Sequence, residues 1–165
     1  MERVKSMKEL EKALNKQYFA AAMKNVAKTA KNIQQEKVIT EVYDKYSPGT
    51  SDGEPWEYKR RGTSGGLADQ KNMIETVKST TSSTTLSIEN ITKGKDEPSL
   101  DLAALVEYGD DKGYGEYDFK TNRDGTSSQY LKPRPFQDKT RQELESGKAR
   151  SSFVEGLKQQ GLTVK

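Results

Sequence analysis

The chain has 165 residues, of which 31 % are hydrophobic and 32 % charged, with a net charge of +3. It contains no Cys and no His, which excludes disulfides, thiolate catalysis, Ser-His-Asp chemistry, zinc fingers and most transition-metal sites. The hydrophobic share is well under the ~45–50 % of an average globular domain, so the expectation is one domain with a modest core, completed by long loops or by neighbouring subunits.

In chain order, the first element is a long helix over about residues 6–45. Ser6 and Glu9 have the spacing of a capping box. Leu10, Leu14, Tyr18, Ala22, Val26, Ala30 and Ile33 recur at helical spacing, and the pattern runs on through Val38 and Val42. Tyr46–Gly49, "YSPG", stops it with Pro and Gly. Residues 47–70 then read as a long exposed loop with two Pro, five Gly and the single Trp. Loops of this length inside a compact domain are functional or disordered, and Trp56 and Tyr58 favour function, because aromatic side chains bury against something.

Residues 71–132 read as the sheet region. "MIETVKST" and "TTLSIEN" flank a Ser/Thr cluster and predict a β-hairpin, with Leu86 and Ile88 alternating with polar residues. Ser99–Gly109 predicts a short helix near 99–108, with Ser99 as its cap and Gly109 as its stop. Gly113–Phe119 reads as a Tyr-rich strand, and "YLKPRPF" as extended chain, because its prolines disfavour helix in the residues before them. Pro135 suits the first turn of a last helix over about 135–160, with Phe136, Thr140 and Leu144 on its apolar face, Gly147 as a weak point and Gly161 as the C-terminal cap. The fold class expected is α+β: long N-terminal and C-terminal helices packed on a small, mainly antiparallel β-sheet, with a long exposed loop.

Charge is segregated. Residues 1–46 carry ten Lys/Arg and six Asp/Glu, residues 95–118 two Lys and eight acids, and residues 119–165 ten and five. An acidic segment between basic ends suits charge-complementary contact between copies of one subunit better than a DNA-binding face, where cations dominate. No apolar run approaches the ~18 residues of a membrane span, and "MERVKSMKEL" lacks a signal-peptide core. A soluble protein made in a cytoplasm, without membrane contact, is expected.

"EYKRRGTSGGLAD" mixes Lys59, Arg60 and Arg61 with glycines and suggests an anion cradle. It lacks the Lys-Ser/Thr that follows the last glycine of a P-loop, since Leu67 and Ala68 follow Gly66. "GYGEYD" has Asp118 where a dinucleotide motif needs its third glycine. "KTNRDG" fits the middle of a calcium loop, but both end ligands are missing. Asp110, Asp111, Glu116 and Asp118 form an acidic loop with no recognisable general base or aligned Lys, and a solvated loop is the better reading. No catalytic set, cofactor or metal site emerges, so no enzymatic activity is expected. The Lys59–Arg61 run fits phosphate contact, pairing with an acidic segment of a neighbouring copy, or a plain solvated run.

Five motifs in order carry a family resemblance: Tyr46-Ser47-Pro48, Tyr58-Lys59-Arg60-Arg61-Gly62, Gly65-Gly66-Leu67, Leu105-Val106-Glu107-Tyr108-Gly109 and Arg134-Pro135-Phe136. Along roughly residues 10–160 the chain resembles the neck, or head–tail-joining (tail-completion), proteins of long-tailed bacteriophages. It departs from their pattern by inserting "GTSDGEPW" and a second glycine into the loop. The resemblance implies a non-catalytic virion subunit, made in the bacterial host cytoplasm. It implies a homo-oligomeric ring in the neck, touching the stopper/adaptor proteins on one side and the tail terminator or tail tube on the other, with non-specific contact to DNA in the channel. The partner-contact candidates are Trp56, Tyr58, Lys59, Arg60, Arg61, Gly65, Gly66, Leu67, Asp110, Asp111 and Arg134. The alternative is a small basic nucleic-acid-binding protein that uses Lys59, Arg60, Arg61 and the first helix.

Overall fold

The computed structural model describes residues 6–45, 61–80, 82–94, 98–109 and 133–163. The architecture is α+β, as the residue pattern predicts. The first helical run contains α1 (Met7–Ala13), a wide turn at Leu14–Phe19, α2 (Ala20–Lys37) and a second wide turn at Val38–Tyr43. Ser6 caps it, its hydroxyl accepting from the Glu9 N–H at 3.2 Å. The Asp44 N–H reaches the Ile39 carbonyl at 2.8 Å, five residues back, which widens the closing turn. Ala22, Val26, Ala30, Ile33, Val38 and Val42 are buried as their spacing requires, but Leu10 and Met7 are exposed.

The remaining elements are a 3-10 turn at Gln70–Asn72, strands β1 (Met73–Ser79) and β2 (Thr84–Asn90), and helices α3 (Leu102–Tyr108), α4 (Phe136–Glu143) and α5 (Ala149–Gln159), with a wide turn at Leu144–Lys148 before α5. The strands form an antiparallel hairpin where the alternation places it. The 113–119 strand and the Tyr130–Lys132 part of "YLKPRPF" lie outside the described residues. The chain divides into two compact units: unit 1 is Met1–Ile33, Ile74–Glu89 and Arg141–Lys165, and unit 2 is Gln34–Met73 and Asn90–Thr140.

In unit 1, α5 lies against α2 at small residues. A Cβ added to Gly156 would sit 2.8 Å from the Ala22 Cα, so glycine is what permits this approach. Phe19 and Phe153 meet edge to face at 5.6 Å. Asn25 donates to Gln159 at 2.8 Å, and Thr29 and Ser152 share a hydrogen bond of 2.8 Å. Gly147, with φ +117, breaks the helix before α5, as its position in the sequence suggests. Gly161, with φ +82, ends α5, and the Leu162 N–H turns back to the Leu157 carbonyl at 3.1 Å.

Unit 2 holds a compact apolar cluster of Val38, Val42, Leu67, Ala68, Ala103 and Phe136, with Tyr43, Leu102 and Val106 packed against it. Phe136 is fully buried, so it is a core residue that meets the end of the first helical run, as expected. One capping expectation is corrected. Asp101, not Ser99, caps α3, its carboxylate accepting from the Ala104 N–H at 3.0 Å. The helix begins at Leu102, which places Ser99 too far upstream to reach the orphan N–H groups of the first turn.

Candidate functional site

The stretch singled out by sequence is Glu57–Asp69, and its described part is the Arg61–Asp69 loop of unit 2. Gly62 and Gly65 have φ of +58 and +75, so the chain turns sharply twice within a few residues. The first turn closes with the Ser64 N–H on the Arg61 carbonyl at 3.0 Å. Gly66 is enclosed: an added Cβ would lie 2.5 Å from the Gly62 carbonyl oxygen. A loop has no ladder to satisfy its backbone, and here side chains do that work. Asn72 donates to the Gly66 carbonyl at 3.0 Å, Thr92 to the same oxygen at 3.3 Å, Asn90 to the Leu67 carbonyl at 2.9 Å, and Gln35 to the Ala68 carbonyl at 2.7 Å. The Tyr43 hydroxyl accepts from the Ala68 N–H at 3.3 Å and donates to the Gly62 carbonyl at 3.4 Å.

The anion-cradle question has a local answer. The Asp69 carboxylate accepts from the Gly65 N–H at 2.7 Å and from the Lys71 N–H at 2.9 Å. These bonds, Gly65 first, hold the Asp69 carboxyl below the usual aspartate range. The loop therefore supplies its own anion to the donors that a phosphate would need. Arg61 donates to the Lys93 backbone carbonyl at 2.6 Å, which ties the guanidinium to its own unit.

The two later motifs interlock in the same unit. The Arg134 N–H donates to the Val106 carbonyl at 2.9 Å. Glu107, only 4 % exposed, accepts from the Gln137 N–H at 2.7 Å and the Asp138 N–H at 3.0 Å. A carboxylate on α3 thereby caps the first turn of α4, where orphan donors and the helix dipole favour negative charge. Burial still pushes the Glu107 carboxyl above the usual glutamate range; the two N–H bonds offset part of that rise, and the nearby Asp138 charge adds to it.

Of the residues proposed from sequence, Arg61, Gly65, Gly66, Leu67 and Arg134 fall within the described chain. Trp56, Tyr58, Lys59, Arg60, Asp110 and Asp111 lie outside it. Gly66 and Leu67 are both buried within unit 2, and Leu67 belongs to the apolar cluster. Leu67 shares that cluster with Val38 and Val42 of the closing turn of the first helical run, Ala103 of α3 and Phe136 of α4. Sequence reading missed Asp69, Asn90, Thr92, Gln35 and Glu107. Only Glu107 carried a signal, an acid inside an otherwise apolar turn; the others are read only once distant segments meet.

In unit 1, Thr29, Ser146, Gly147, Lys148, Ser151 and Ser152 line an open groove. Its only ionisable lining group, Lys148, is paired with Glu143. Among the described residues, no group of three Asp or Glu side chains is arranged to hold a metal ion, and no helix is long and apolar enough to cross a membrane.

No curated protein and no solved structure matches the chain. A family model does, that of YomN, over residues 6–160. That span takes in the first helical run, the Arg61–Asp69 loop, the hairpin and α3 to α5. The chain thus belongs to the YomN family, a phage-associated family.

Proposed function

We propose that the protein is a structural, non-enzymatic subunit of the bacteriophage neck, several copies of which form a ring that joins the DNA-filled head to the tail. Its partners would be further copies of itself, the stopper or adaptor proteins on the head side, and the terminator or tube on the tail side; its place would be the virion. The observation that carries this reading is the order of the motifs together with their meeting in unit 2. Gly65-Gly66-Leu67, Leu105–Gly109 and Arg134-Pro135-Phe136 are distant in sequence, yet Leu67, Val106 and Phe136 meet in one apolar cluster, and the Arg134 N–H bonds the Val106 carbonyl. Such a frame fixes Arg61 and Gly109, each of which adjoins a sequence motif expected to engage neighbours. The nucleic-acid alternative has less in its favour, because Arg61 is engaged internally and the glycine N–H of the loop is filled by Asp69.

The test is inactivation of the gene in the phage that carries it. DNA-filled heads and finished tails should accumulate unjoined in electron micrographs, and the wild-type chain supplied in trans should restore joining. Normally joined, infectious particles without the protein would overturn the proposal. Salt-sensitive binding of duplex DNA by the purified chain, together with its absence from purified virions, would favour the alternative.

A further inference from the structure

We draw no further inference here: the strongest candidate, the open groove of unit 1 lined by Thr29, Ser146, Lys148, Ser151 and Ser152 at the start of α5, carries nothing, because Lys148 is paired with Glu143, Thr29 and Ser152 are bonded to each other, and no second observation among the described residues points to a ligand at that helix N-terminus.

Discussion

The two units are held together by different means. In unit 1 the contacts join side chain to side chain between helices whose backbones already satisfy themselves: Ala22 against Gly156, Phe19 against Phe153, Asn25 with Gln159, Thr29 with Ser152. In unit 2 side chains spend their hydrogen bonds on backbone. Gln35, Tyr43, Asn72, Asn90 and Thr92 hold one loop, and Glu107 holds the start of α4. Regular elements can be joined by shape alone, whereas irregular chain stays fixed only when each buried N–H and C=O finds a partner. Unit 2, where the recognisable motifs gather, is therefore the more sensitive to single polar changes.

The largest expected effect tests what the unit 2 frame is built on. Phe136→Ala should cost about 3–5 kcal/mol, since the ring is fully buried and its loss leaves a cavity. Chemical denaturation of the isolated protein measures this, and a negligible shift would mean that the cluster is not anchored there. Next come the two close glycines, one in each unit. Gly66→Ala and Gly156→Ala each force a Cβ onto backbone atoms, at 2.5 Å from the Gly62 oxygen and 2.8 Å from the Ala22 Cα. Each should cost about 1–3 kcal/mol. Helices can slide a few tenths of an ångström while a loop held by five side chains cannot, so Gly66→Ala should be the worse. The reverse order would refute the contrast between the units.

The third test concerns charge in unit 2. Glu107→Ala leaves two buried N–H groups without partners and should cost about 1–3 kcal/mol. Its pH dependence separates it from Asp69. Glu107 has a raised pKa, so its contribution is largest while it is protonated and declines as pH rises through that pKa. Asp69 has a lowered pKa, so its contribution is present above the ordinary aspartate range and is lost as pH falls through the lowered value. Denaturation midpoints over about pH 3–8 should show Asp69→Asn converging on wild type in acid. Glu107→Gln should compare best with wild type at the alkaline end, where it avoids burying a charge. Parallel curves for both variants would contradict the assigned shifts. The smallest effect belongs to unit 1: Lys31 and Glu75 pair at 2.7 Å with partly exposed side chains, and Lys31→Ala should cost about 0–1 kcal/mol, less still at high salt.

The elements that sequence alone determined are those whose cause is local. Helical spacing from Ala22 to Val42, the hairpin around a Ser/Thr turn, Ser6 as a cap, Gly147 as a break and Gly161 as a stop all follow from periodicity, propensity and φ restrictions within a few residues. Phe136 was legible as core for the same reason, because Pro135 sets where the helix starts. What only the tertiary structure decided is how distant polar groups pair. That Asp69 fills the donors of its own loop, that Asn90 and Thr92 hold the Gly66 and Leu67 carbonyls, that Glu107 caps a helix 30 residues on, and that Leu67 is interior all depend on segments far apart in the chain. A hydrogen bond leaves no periodic trace in the sequence, since it fixes only where two chain segments meet, and hydrophobic spacing records which face is buried without saying against what.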